Sequence, residues 1–593
     1  MFQKACTIIV ATVVLLTGAV AVASTARSSG TVWHDDRIDP LWQWSVRAPT
    51  IPDRRAFLWI APDCKHVRGI VIGLQNMLET PLFERAAFRS ACAANDLAIV
   101  MVYSGHDRAP GDEKSQHPNR SYLDIFLNPD FPKGGEQPKL AGEDLQRVLD
   151  ALANESGYAE LSQAPLLPMG HSSAGSFVWH LYEWDPSRIF AMMPFKTGLK
   201  NDGPSGIPIF DVNSEWFDYG NRSSNVSTKP SDFKAEQLLR HTLPDAEFGM
   251  YVDIGAGHCD VSDDSIPIVA QYLKTVTALR IPEHTKPGKP VPLKPVDIRS
   301  GWLIAPADLG KAGVEPVAYD AWHGDPRDAL WYPDHDFAEM VQTHMIAQYA
   351  KNPQQMNFVK EDGSVPTSGG TFNFRPQFID DLGTFQIEAK FIDELQDSDV
   401  YPPGTKLQHG NDPIFYRVNS GAVRQIGPNT FRIMPHAGPI VPQGNPWEPT
   451  LVAYCLGDNQ FRPTERPAHV NVNIVNSRGE PQTIDFPSIP DQAIDSASPI
   501  RLGATASSGL PVQYFVVSGP VRLRDDGESL ELVPLPVRMK TPARVLVGAF
   551  QWGRPSGSAI RSAGPVIRQF WVLKPHETAP PNSTQAPAAP AAR

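Results

Sequence analysis

With 41% hydrophobic and 20% charged residues over 593 positions, this chain is neither a disordered nor a fibrous protein, and its length suggests about three to five domains. The formal net charge is -12, with dispersed acidic residues, which argues against nucleic acid or an anionic membrane surface as partner. The 58 prolines thicken after Pro282, as expected for turn-rich β modules in the second half.

The first residues read as a targeting segment. Lys4 supplies a positive charge, Ile8 to Val22 is almost wholly apolar, and Ala21-Val22-Ala23 ends it in small residues. A signal peptide over 1–23 is expected, leaving a secreted or periplasmic chain that is not an integral membrane protein after cleavage. An uncleaved anchor is the alternative, although the apolar run is short for a span. Cys64, Cys92, Cys259 and Cys455 then remain. They permit disulfides, with Cys64–Cys92 a candidate pair, and none has the C-x-x-C spacing of a metal site.

From Trp42 onward the pattern alternates. Ala56–Ile60, Gly69–Leu74, Leu97–Val102, Ala164–Met169, Arg188–Pro194, Gly206–Val212 and Phe248–Ile254 are short apolar runs that read as strands. Between them, 81–95, 140–154, the stretch after Gly175, 235–241 and 266–280 carry helical spacing. Such alternation predicts a mostly parallel sheet covered on both faces, with its site at the carboxyl ends of the strands.

After 281 the character changes. Residues 282–360 begin with a proline-rich linker and continue as a mixed segment with a helix over 337–349. Short alternating runs with Gly, Pro and Asn turns make 361–480 a β-rich domain. The text Ser507-Ser508-Gly509-Leu510-Pro511-Val512, with Tyr514, Val516 and Ser518-Gly519-Pro520, resembles the Ig-like repeat modules of large secreted and surface bacterial proteins. The likeness covers 481–575 and implies a β-sandwich with a spacer or adhesive role. Ala, Pro, Ser and Thr dominate 576–593, which is expected to be a disordered tail.

The stretch that organises the rest is Met169-Gly170-His171-Ser172-Ser173-Ala174-Gly175. An apolar strand runs into a tight turn of small residues with a serine at its apex, and a helical pattern follows. Small residues two before and two after the serine, Gly170 and Ala174, let the chain fold back. With this G-x-S-x-A elbow, the region 24–281 resembles an α/β-hydrolase-fold serine esterase. The resemblance implies an acyl-enzyme mechanism and a serine, acid, histidine order, each residue following a different strand. It implies no metal or organic cofactor.

On that reading Ser172 is the nucleophile. His258, in Ile254-Gly255-Ala256-Gly257-His258 after the last strand, is the base. Glu215, just behind the Gly206–Val212 strand, is the favoured acid, and Asp218 is the alternative. The backbone NH of Ser173 is the expected oxyanion donor. Gln75 or Asn76, after the Gly69–Leu74 strand, is the second donor by topology alone, because the HGGG text of many esterases is missing there. His106 and His171 read as neighbours of the site, and Trp179, Trp216, Phe217 and Tyr219 as either pocket or packing residues. The expected substrate is an ester, with acetylated or feruloylated polysaccharide preferred; the oligomeric state is left open. A serine peptidase, a polyester depolymerase, and a non-catalytic surface or adhesion protein on a degenerate scaffold are the rival readings.

Overall fold

The computed structural model describes residues 38–48, 51–103, 136–197, 205–216, 239–243, 245–367, 372–395, 404–435, 449–471 and 476–580. Among them an eight-stranded sheet carries the first half of the chain. Its strands are β1 (Trp44–Ala48), β2 (Ile51–Trp59), β3 (Gly69–Gln75), β4 (Leu97–Tyr103), β5 (Leu166–His171), β6 (Met193–Phe195), β7 (Ile209–Ser214) and β8 (Phe248–Asp253), in spatial order β1-β2-β4-β3-β5-β6-β7-β8. β1–β2 and β2–β4 are antiparallel, and every other pair is parallel. This is the α/β-hydrolase class expected from the sequence. β3 and β5 are buried along their whole length, as near-continuous apolar runs in a sheet covered on both faces must be.

The helices cover those faces. Glu136–Ser156 buries Leu145, Val148, Leu149 and Leu152, and Ser265–Arg280 buries Ile266, Val269, Leu273 and Val276 on a helical stripe. The single helix expected over 81–95 is two, Glu79–Phe83 and Ala86–Ala94. Arg85 between them is extended and buried, donating from Nη1 to Asp263 Oδ1 at 2.9 Å, while Glu84 accepts from Trp42 Nε1 at 2.9 Å. These two inward-facing partners interrupt the helical run. β6 lies later than the predicted 188–194, and β1 is a strand that the sequence did not signal. The Trp-rich start is drawn into the sheet edge by pairing with β2.

Beyond 281 the described chain is mostly β, in small sheets. One orders four strands as Phe372–Phe374, Thr464–Val470, Thr450–Cys455, Phe415–Ser420. Another orders Gln492–Ala493, Ala563–Leu573, Ala543–Gln551, Gln513–Ser518. A helix, His335–Tyr349, precedes them. These elements do not hang from a tether. Trp33–Arg593 forms one compact unit, and one buried apolar cluster runs from Trp42 through Val276, Phe337 and Leu451 to Val572. Polar seams join the same parts: Ser45 Oγ lies 2.7 Å from Ser518 Oγ, and Arg538 Nη1 lies 2.7 Å from Glu160 Oε1.

Cys64, Cys92, Cys259 and Cys455 are all free and buried, so the Cys64–Cys92 bridge considered from sequence is not formed. No helix among the described residues is long and apolar enough to cross a membrane.

Candidate active site

The elbow is a strained turn. β5 ends at His171, a short turn spans Ser172–Ala174, and the helix Gly175–Trp184 follows. Ser172 has φ +55, a left-handed conformation uncommon for a side-chain-bearing residue and found where function demands it. The small residues are required by the fold-back. A Cβ on Gly170 would stand 2.1 Å from the Ala174 carbonyl oxygen, and one on Gly175 would stand 2.2 Å from Thr197 Oγ1. Thr197 Oγ1 donates to the Ser172 carbonyl at 2.5 Å, tying the apex to the chain after β6.

His258 lies in the loop after β8, and its Nε2 is 2.9 Å from Ser172 Oγ. The pair is oriented for a neutral imidazole to take the hydroxyl proton, which needs the remaining ring proton on Nδ1. His171 sits against it: the ring centroids are 4.5 Å apart, and His171 Nε2 donates to the His258 carbonyl at 2.8 Å. A carbonyl only accepts, so this bond fixes the His171 tautomer. Burial, and then the adjacent His258 and Lys196, hold the His171 pKa well below its ordinary value, so the ring is neutral.

Glu215, the acid favoured from sequence, is bonded through both of its carboxylate oxygens. It follows β7, its Oε1 is paired with Arg462 Nη1, and its Oε2 accepts from the Gly255 NH at 2.8 Å. Both partners are buried, and Arg462 also donates to the carbonyls of Gln348 and Lys351 at 3.0 and 3.1 Å. A buried guanidinium holds such a carboxylate through a charge-assisted hydrogen bond. The alternative acid, Asp218, lies outside the described residues, as do His106, Phe217 and Tyr219.

The loop after β3, expected to supply the second oxyanion donor, is held by a set of local hydrogen bonds. Gln75 closes β3 and accepts from the Thr80 NH at 2.9 Å through its side-chain oxygen. The NH groups of Asn76 and Met77 both donate to Glu79 Oε2, at 2.8 and 3.1 Å, and the His171 NH donates to Glu79 Oε1 at 2.7 Å. Asn76 Nδ2 donates to the His171 carbonyl at 3.0 Å. This bond ties Asn76 to the elbow strand. Glu79 is fully buried, and burial raises its pKa to about 7 against these bonds. The Ser173 NH begins the turn into the elbow helix. Trp179 is 2% exposed in the main core, and Trp216 packs on Ile392, Leu395 and Leu407, so both are packing residues.

Lys196 completes the frame. It follows β6 with φ +49, is fully buried, and bonds Asp253 Oδ2 at 2.9 Å together with the carbonyls of Gly257 and Asp260 at 2.7 and 2.6 Å. Asp260 Oδ1 is 3.7 Å from Lys196 Nζ, yet burial still pushes the Asp260 carboxyl above its usual range. Sequence reasoning missed Glu79, Lys196 and Arg462. A charged residue at the end of the apolar run Phe190–Phe195 was the available signal for Lys196. Nothing local marks Arg462, whose partner is 247 positions away. No group of three or more His, Cys, Asp or Glu side chains among the described residues could hold a metal ion.

No family model matches this chain, and no curated protein does. Solved structures similar to it include a CIB-like hydrolase from Thermoplasma acidophilum, at 12% identity and TM-score 0.26, covering 40% of this chain and 98% of that one. A cold-adapted esterase from an Arctic intertidal metagenomic library matches at 15% identity and TM-score 0.25, covering 40% and 92%. An S-formylglutathione hydrolase from Agrobacterium tumefaciens matches at 11% and 0.26, covering 40% and 93%. The sheet order above, rather than these scores, defines the fold as that of an α/β hydrolase.

Proposed function

We propose that this protein is an exported serine carboxylic-ester hydrolase acting through an acyl-enzyme. The observation that carries the reading is the 2.9 Å approach of His258 Nε2 to Ser172 Oγ, with Ser172 raised on a left-handed turn at the end of β5. Ser172 Oγ attacks the ester carbonyl while His258 takes its proton. The tetrahedral oxyanion collapses, the C–O bond to the alcohol breaks, and His258 returns the proton to the leaving oxygen. Water, deprotonated by His258, then attacks the acyl carbonyl and releases the acid, restoring Ser172.

In this reading the Ser173 NH faces the developing oxyanion, with Gln75 at the end of β3 as the second candidate. Asp218 takes the orienting role, since Glu215 is engaged by Arg462. The export signal over 1–23, the Ig-like character of 481–575 and a polymeric substrate, acetylated or feruloylated polysaccharide, complete the proposal. A non-catalytic scaffold is the rival, and one observation favours it: the loop NH groups of Asn76 and Met77 are already given to Glu79. Turnover of p-nitrophenyl acetate by the mature chain and by Ser172→Ala decides between them. Hydrolysis by the wild type and its loss in the variant support the esterase; equal, slow rates support the scaffold. A panel of acetylated, feruloylated and polyester substrates then sorts the acyl group.

A further inference from the structure

The loop that carries His258 has no regular secondary structure, yet seven consecutive carbonyls in it, from Gly255 to Val261, have named donors. Gly255 O accepts from the Glu465 NH at 2.8 Å and Ala256 O from the Trp216 NH at 3.1 Å. Lys196 Nζ takes Gly257 O and Asp260 O, and His171 takes His258 O. Cys259 O accepts from Asn419 Nδ2 at 2.8 Å, and Val261 O accepts from Arg417 Nη2 at 3.2 Å. Three of these six donor residues, Glu465, Asn419 and Arg417, belong to the four-stranded β sheet of the second half.

The strand Phe415–Ser420 is shaped for this contact. Arg417 and Asn419, two apart, reach carbonyls that are also two apart. The strand carries a bulge at that point: Val418 pairs with Leu451 and Ser420 with Thr450, so Asn419 is the extra residue without an opposite partner. Asn419 lies on the same face of the strand as Arg417, and its amide meets the carbonyl next to His258. Asn419 is 6% exposed, so its donor is not exchanged for water. Beside it Arg417 is clamped by Glu465 through Nη2–Oε2 at 2.5 Å and Nη1–Oε1 at 3.1 Å. A Cβ on Gly255 would stand 2.0 Å from the Pro463 carbonyl oxygen, so the loop and the sheet are in backbone contact there.

We infer that the bulged strand Phe415–Ser420 is part of the active site, with Asn419 a positioning residue that holds the His258 loop in register with Ser172. The sheet that carries Arg417, Asn419 and Glu465 is then a buttress of the base. Its effect falls on the chemical step, because a displacement of the base by about 1 Å costs on the order of a hundredfold in rate. This inference rests on the serine-hydrolase reading.

The test compares the full-length wild type with Asn419→Ala and Asn419→Leu, the second keeping the volume without the donor. Far-UV circular dichroism and thermal melts are measured for each, and kcat and KM for p-nitrophenyl acetate are taken well below the melting transition. Both variants are expected to fold and to lose at least about tenfold in kcat, with KM within about twofold of wild type. A folded variant with wild-type kcat overturns the inference. So does a loss that merely follows the folded fraction as temperature rises. If instead the wild type is no faster than Ser172→Ala, the serine-hydrolase reading itself has failed and this inference falls with it.

Discussion

Lys196 Nζ lies 2.9 Å from Asp253 Oδ2, with both side chains fully buried. The pair joins the end of β8 to the chain after β6, and the same ammonium holds two carbonyls of the histidine loop. Removing the ammonium leaves a carboxylate in the interior with, among the described residues, the Ser262 NH and hydroxyl as its donors. Lys196→Met is expected to lower stability by about 3–5 kcal/mol in urea denaturation, the usual cost of breaking a buried pair from one side. Lys196→Met combined with Asp253→Asn is expected to recover part of that loss. An unchanged midpoint in the single variant would show that the pair is not buried as described.

The two candidate acids give opposite patterns. Asp218→Asn is expected to lower kcat by about 10⁴ with little change in melting temperature, as when the residue orienting a catalytic histidine is made neutral. Glu215→Gln is expected to act on stability first, by about 3–5 kcal/mol, because Arg462 loses its buried partner. Steady-state kinetics and melts on both variants decide it. A 10⁴ loss in a fully stable Glu215→Gln would return the acid role to Glu215.

Much of this was legible. The elbow could be placed because Gly170, Ser172 and Ala174 sit in one short stretch and their steric demands are local. His258 could be placed because glycines precede it and an apolar strand ends just before it. The acid could not, because Glu215 and Asp218 lie only three positions apart in sequence after the β7 run, and the buried partner of Glu215, Arg462, is far along the chain. The oxyanion loop was legible only in part: Gln75 and Asn76 stand at the expected strand end, but that the buried Glu79 takes the Asn76 and Met77 NH groups was not visible in the sequence. The second half read correctly as β-rich. Its attachment to the histidine loop was invisible, since Arg417 and Asn419 look in sequence like ordinary polar residues of an alternating strand.

Glu79 sets a pH dependence whose sign follows from its surroundings. Its carboxyl is raised from 4.5 to about 7 by burial, so the folded state prefers the protonated form. Between those values the folded state binds more protons than the unfolded one, and this group's contribution to stability falls as pH rises. Glu79→Gln removes that slope. Relative to the variant, the wild type is expected to lose about 3 kcal/mol from pH 4.5 to pH 7.5. Denaturant curves for both proteins at the two pH values check this. A difference that stays constant with pH would mean that Glu79 ionises normally.

The four described cysteines give a chemical check on the packing. Cys64, Cys92, Cys259 and Cys455 are free thiols without exposure, and burial pushes the Cys64 thiol up to about 12. Buried, protonated thiols react slowly. Ellman's reagent is expected to titrate none of these four in the native protein and all of them after denaturation without reductant. Fast native reaction at Cys259, the residue after His258, would show that the loop opens.

The central claim is that Ser172 is an activated nucleophile, and a fluorophosphonate tests it most directly. After incubation of the mature chain, peptide mass spectrometry is expected to find the phosphonyl group on Ser172. The rate of labelling should fall by about 10³ or more in His258→Ala. No adduct on Ser172, or labelling that is indifferent to His258, would contradict the account.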